Sequence, residues 1–207
     1  MHLYHAKIIA ENLARQIMPY CEPGRCLIAG SIRRDKPVVK DIEIVCIPYV
    51  STLTANDIFG EPYYSRTVIH PDYEKTVRSW GTIQKGKFGG RMMQVTTSMD
   101  IEGKTHEINI DLFTPAPADF YRQLAIRTGS AEYAHKHIAN AWIRKGWCGV
   151  EGIGLCLIKQ CYRESEKHPW RLRSGITDPE RPPVWQSEEE FFRWLGIQYL
   201  EPTERNL

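Results

Sequence analysis

The chain has 207 residues, 42% of them hydrophobic, and its 27 lysines and arginines against 25 aspartates and glutamates leave a formal net charge of +2. That apolar content excludes an intrinsically disordered chain, and the length is enough for one core or two small, closely packed lobes. No apolar run approaches the roughly 20 residues of a membrane-spanning helix. The six cysteines include no Cys-x-x-Cys pair and no histidines at zinc-like intervals, so free thiols in a reducing cytoplasm are expected.

In chain order, Ile8, Ile9, Leu13, Ile17 and Met18 alternate with Lys7, Glu11 and Arg15. This predicts an amphipathic helix over residues 4–19 that packs on the following fold, not a signal peptide. A strand at 26–29, a turn at Gly30-Ser31 and a second strand at 41–47 come next. The Pro, Gly and Asn content from Pro48 to His70 predicts a loop with short pieces, and Tyr73 to Trp80 a helix ending at Gly81. Strands near 91–98 and 106–113, joined by a turn at Glu102-Gly103-Lys104, precede a domain boundary marked by Pro115 and Pro117. Beyond it the pattern predicts a helix from His135 to Lys145, a glycine-rich loop at Gly149–Gly154, a polar loop over 163–183 and a terminal helix at 187–195. His135 and His137, two apart on a helix, cannot share a face as metal ligands. No internal repeat is present.

The chemistry concentrates in two runs. In Asp41-Ile42-Glu43-Ile44 a strand points Asp41 and Glu43 to one face and the isoleucines to the other. Two like charges so close call for hard cations between them, and oxygen ligands suit Mg²⁺. In Ile108-Asn109-Ile110-Asp111-Leu112-Phe113, Asp111 is the candidate third carboxylate from a neighbouring strand. Three converging carboxylates point to nucleotidyl transfer with two Mg²⁺ ions, or Mn²⁺ in their place. Glycine at position 30 lets backbone approach a phosphate, Ser31 adds a hydroxyl, and Arg33 and Arg34 offer guanidinium forks, of which Arg34 is assigned to the triphosphate. Either strand alone reads as a half-exposed strand with a solvated face; the ordered combination is what singles out the site.

Residues GSIRRDKPVVKDIEIV resemble the nucleotidyltransferase signature of the family X DNA polymerases. Leu124 to Ser130, with its Thr128-Gly129-Ser130, and the helix behind it are similar to that family's T-G-S segment and thumb helix. Ser187–Phe192, Leu195-Gly196-Ile197 and Pro202 resemble its closing segment. The resemblance implies an α+β fold: a nucleotidyltransferase palm over residues 1–117, with a mixed β-sheet and flanking helices, and a small α/β thumb over 118–207. It implies Asp41, Glu43 and Asp111 as catalytic Mg²⁺ ligands, with Asp111 helping to activate a primer 3′-hydroxyl. Gly30, Ser31 and Arg34 match triphosphate-binding positions, and Thr128, Gly129 and Ser130 the turn that meets the incoming nucleotide. The implied activity is DNA-directed addition of dNTPs to a primer, filling short gaps in DNA repair, by a monomer acting on primer-template or gapped DNA away from membranes. A template-independent transferase, or one with another acceptor, is the alternative.

Several positions depart from the family pattern. Glu43 stands where aspartate is usual, and Lys40 where glycine precedes the first aspartate. Ile126-Arg127 replaces the aromatic pair that checks the nucleotide 2′-hydroxyl, and Ala134 replaces the amide that reads the minor-groove edge. The family's N-terminal lyase domain is not expected, because the signature begins at residue 30. From Arg122 to Arg173, ten lysines and arginines against four acids give a net +6, whereas residues 174–207 hold three against seven, net −4. The basic stretch is the expected footprint on DNA and the acidic tail a solvated or packing segment.

Overall fold

The amphipathic pattern at the N-terminus forms helix α1, Leu3–Ile17, in the computed structural model, which describes every residue except 57, 58, 60, 61 and 207. Ala6, Ala10, Leu13, Ala14 and Ile17 make its buried stripe, and the helix tightens into a 3-10 turn at Met18–Tyr20, which carries Pro19. There follow β1 (Cys21–Ile28), the single helical turn α2 (Gly30–Arg33), β2 (Asp41–Pro48), β3 (Val50–Asn56), β4 (Pro62–Ile69), helix α3 (Pro71–Trp80), β5 (Thr82–Gly86), β6 (Met92–Ile101) and β7 (Lys104–Phe113). Five of the strands form one mixed sheet in the order β1-β2-β7-β6-β5, with β2 and β7 parallel and the other pairs antiparallel.

The period-2 alternation of β2 and β7 decides which face is covered. Ile42 and Ile44, with Ile110, Leu112, Met93 and Val95, join the buried residues of α1 and Tyr73, Val77 and Trp80 of α3 in one core. Ile42, Ile44 and Ile110 are 0% exposed, and burying such a side chain stabilises by about 1.5–3 kcal/mol. The partly exposed residues between them stand on the opposite face. At the β6–β7 turn, Glu102 (φ 53°) and Gly103 (φ 74°) are both left-handed, as a two-residue hairpin whose twist matches its strands requires.

The loop expected from Pro48 to His70 is instead largely a hairpin, β3 pairing antiparallel with β4 from Val50↔Ile69 onward. Threonines and valines favour the pleated surface, and Pro62 sits at the first residue of its strand, where proline is tolerated. Residues 57, 58, 60 and 61, inside that expected loop, lie outside the described residues. Strand β5, also unforeseen, forms the far edge of the sheet beside β6.

The chain divides into two compact units, Met1–Phe120 and Tyr121–Leu207. Helix α4 (Phe120–Thr128) leads into the second unit, which continues with α5 (Ala131–Tyr133), a π-helical segment Ala134–Ala139, α6 (Asn140–Arg144), β8 (Trp147–Val150), β9 (Gly154–Leu157), β10 (Cys161–Tyr162), β11 (Arg171–Leu172) and α7 (Glu188–Leu195). The helix expected over 135–145 is thus wound wide at its start. The glycine-rich loop is the turn of the β8–β9 hairpin, where Gly152 takes φ +73°, and the polar loop contains β11. Ser187 caps α7, its Oγ accepting from Glu190 N at 3.2 Å, three glutamates fill the first turn, and left-handed Gly196 ends the helix.

Trp142, Trp147, Trp185, Phe191 and Phe192 dominate this unit's core, with Trp185 and Phe191 edge to face at 4.8 Å. The C-terminal stretch is a packing segment. Arg205 is 0% exposed, its Nη1 donates to Glu188 Oε1 at 2.6 Å and its Nε to Leu200 O at 2.9 Å. All six cysteines are free and buried, and desolvation raises the Cys148 and Cys156 thiols, so they stay protonated and inert.

Candidate active site

The polar face of the five-stranded sheet brings the three singled-out carboxylates onto adjacent strands. In the parallel β2–β7 pair, Glu43 is the register partner of Asp111, and Asp41 that of Asn109. Partners on neighbouring strands are about 4.8 Å apart, and Asp41 and Glu43, two residues apart on one strand, about 6.7 Å. All three are partly buried. The third carboxylate therefore stands beside the first two because β7 inserts next to β2, a non-local pairing.

Two of the carboxylates have a defined neighbour. Gln94, opposite Asp111 on β6, donates from Nε2 to Asp111 Oδ1 at 2.8 Å. Thr96 Oγ1 donates to Asn109 Oδ1 at 2.8 Å in the next row. Glu43 lies over Gly30: a Cβ on that glycine would stand 1.9 Å from Glu43 Oε2, and Gly30 has φ +65°. Glycine is required there twice over, for its left-handed backbone and for the space. Ala29 N–H donates to Glu43 O at 2.8 Å, which ties the entry of α2 to the carboxylate strand.

Arg34 follows α2. Partial burial draws its guanidinium below the usual arginine value, and the carboxylates of Glu43 and, less strongly, Asp41 oppose that shift. Ser31 Oγ is shielded from solvent and has no hydrogen-bond partner among the described residues, a costly state for a hydroxyl that a phosphate oxygen would relieve. Arg33, the last residue of α2, is partly buried beside it in sequence.

The donor set, three carboxylates on one face, has the chemistry of a hard divalent-cation site. In this arrangement no three His, Cys, Asp or Glu side chains among the described residues converge to hold an ion. Gln94 engages Asp111, and Glu43 folds over Gly30.

Thr128, Gly129 and Ser130 belong to the second unit and form the tight link between α4 and α5. Thr128 is fully buried and Gly129 N donates to Ala125 O at 3.1 Å. Ser130 Oγ caps α5 by accepting from Tyr133 N, and a Cβ on Gly129 would stand 2.7 Å from Tyr133 Cδ1. Within their own unit these residues shape a turn. His135 and His137 are both exposed, and His137 stacks on Tyr133 at 5.1 Å. The charge count of the basic stretch overstates its free cations. Arg122 is 6% exposed and lies over Trp142, Arg163 lies over Trp170, and Lys136 pairs with Glu132.

Sequence reasoning missed Gln94 and Arg205. Gln94 was readable only as a polar residue in an apolar run, since its role depends on the β6–β7 register.

No protein-family model matches the chain. Over 63 residues, 30% of the chain, it is 38% identical to human DNA-directed DNA/RNA polymerase mu. The matched stretch spans 12% of that polymerase's length. The chain thus carries a partial likeness to a DNA polymerase. No helix among the described residues is long and apolar enough to cross a membrane.

The Gly30 geometry carries a prediction. Gly30→Ala combines a left-handed strain of about 1 kcal/mol with a methyl group that displaces the Glu43 carboxylate. A melting-temperature loss of a few degrees is expected in thermal unfolding, and an unchanged melting temperature would show that the Glu43 carboxylate yields to the methyl group at no cost.

Proposed function

We propose that this protein is a nucleotidyltransferase of the family X DNA polymerase type, adding dNTPs to a primer 3′-hydroxyl on primer-template or gapped DNA. The observation that carries this reading is the juxtaposition of Glu43 and Asp111 as register partners, with Asp41 on the same face and the Gly30-Ser31-Arg34 segment alongside. The partial likeness to a DNA polymerase supports it.

Asp41, Glu43 and Asp111 would hold Mg²⁺, which when bound supplies charge neutralisation to the attacking and leaving oxygens. The protein's own groups do the rest by positioning. The glycine turn brings backbone near the triphosphate, Ser31 Oγ donates to a phosphate oxygen, and Arg34 offsets phosphate charge. The primer hydroxyl oxygen bonds to the α-phosphorus as the bond to pyrophosphate breaks, and Asp111 is placed to draw off the hydroxyl proton. Gln94 fixes the orientation of that carboxylate.

Calorimetric titration with a non-hydrolysable dNTP tests this reading. Binding is expected to need Mg²⁺, and Arg34→Ala to weaken it about 10- to 100-fold, as loss of a hydrogen bond to a charged group does. Unchanged affinity in that variant would move the phosphate role to Arg33, and Mg²⁺-independent binding would remove the metal ligands from the account.

A further inference from the structure

Where β6 turns into β7, a cavity of about 690 Å³ opens, lined by His2, Tyr4 and His5 from the start of α1 and by Ile101, Lys104 and His106 of the hairpin. His106 alternates in register with Ile108 and Ile110, so it stands on the helix-covered face of the sheet, opposite Asp111. The cavity is therefore distinct from the carboxylate face.

Its lining is rich in donors. Lys104 and three imidazoles are among its lining, with a single carboxylate, Glu102, whose Oε1 lies 3.5 Å from His5 Nε2. The first turn of α1 contains no acidic residue. His2 Nδ1 accepts from Tyr4 N–H at 3.3 Å, which leaves His2 Nε2 as that ring's donor. The imidazoles are not grouped as a metal cage, since no three metal-ligating side chains converge among the described residues. Beside the donors lies apolar surface: Tyr4 is 64% exposed, Ile8 50%, and a recess continues along Ile9, Met99 and Ile101. Ligand cavities of this size hold molecules with a charged end and an apolar body.

We infer that this cavity binds a phosphorylated ligand of nucleotide size, with Lys104 and the His2, His5 and His106 imidazoles on the phosphate and Tyr4 and Ile101 against the base. Lysine and imidazole N–H groups suit a phosphate, whose charge Glu102 opposes. This site is separate from the proposed transfer reaction and does not depend on it.

Imidazole NMR signals followed during titration at constant ionic strength, with inorganic phosphate and separately with AMP, test the site. The His2, His5 and His106 signals are expected to shift saturably, with AMP the tighter ligand. Lys104→Ala is expected to weaken both about threefold or more and Glu102→Gln to strengthen both by a similar factor, each residue being exposed and remote from the core. Asp111→Ala is expected to leave these shifts intact, so the site and the proposed activity stand or fall separately. Shifts that grow linearly with ligand, or that neither charge variant alters, overturn the site. Equal affinity for phosphate and AMP overturns its nucleotide size.

Discussion

Replacing Asp111 with alanine is expected to lower nucleotide incorporation at least about a thousandfold while leaving affinity for DNA almost unchanged. The substitution removes a carboxylate that shares a row with Glu43, and with it one of the proposed ligands for Mg²⁺. It removes no positive group that would contact DNA. Stability should move little, because two effects oppose: Gln94 Nε2 loses its acceptor, costing about 1 kcal/mol, while repulsion within the acidic face falls. Asp111→Asn separates the roles. An asparagine oxygen still accepts from Gln94, so the strand pairing is undisturbed, yet the charge is gone and incorporation should remain at the alanine level. Residual activity within about tenfold of wild type in either variant would sink the metal-ligand assignment.

The second large effect is on folding. Arg205→Ala is expected to destabilise the second unit by about 3–5 kcal/mol, the range found when one partner of a buried ion pair is removed. Arg205 is fully buried, donates to Glu188 Oε1 and Leu200 O, and lies 4.9 Å over Phe192 and 5.1 Å over Tyr199. Its own carbonyl accepts from Ser130 N at 3.0 Å, so the C-terminal segment also fixes the start of α5. Alanine leaves the Glu188 carboxylate buried without this cation and opens a cavity between the rings. The double variant Arg205→Met with Glu188→Leu should recover much of the loss, because apolar groups of similar volume avoid the desolvation of both charges. Denaturant unfolding checks both variants. A loss below about 1 kcal/mol in Arg205→Ala would show the pair to be peripheral.

Local patterns in the sequence carried the two strands that matter most. Alternation in Asp41-Ile42-Glu43-Ile44 and in Ile108 to Phe113 is a period-2 signal strong enough to assign both strand and face, and both are observed. The terminal helix carries a different local signal, a serine cap, an acidic first turn and a closing glycine, and it too is observed. What could not be read was pairing. That β7 lies beside β2 in parallel, Glu43 opposite Asp111, and that Gln94 holds Asp111, depends on residues far apart in the chain. The hairpin β3–β4 was hidden by Pro48 and Pro62, breakers that here stand at the end of β2 and the start of β4. Arg205 sat in a stretch whose net negative charge reads as a solvated or packing segment, and only the fold shows that it packs and that one of its few cations is the centre of a core.

Single-nucleotide extension of a labelled, gapped primer-template in Mg²⁺, with each dNTP and each NTP supplied separately, tests the central claim most directly. The account predicts template-matched addition that requires Mg²⁺, with the ratio of dNTP to NTP use reporting whether Ile126-Arg127 excludes ribose. No extension with any nucleotide, or extension that ignores the template, would contradict a templated polymerase; the latter would leave the carboxylate face to a transferase that needs no template.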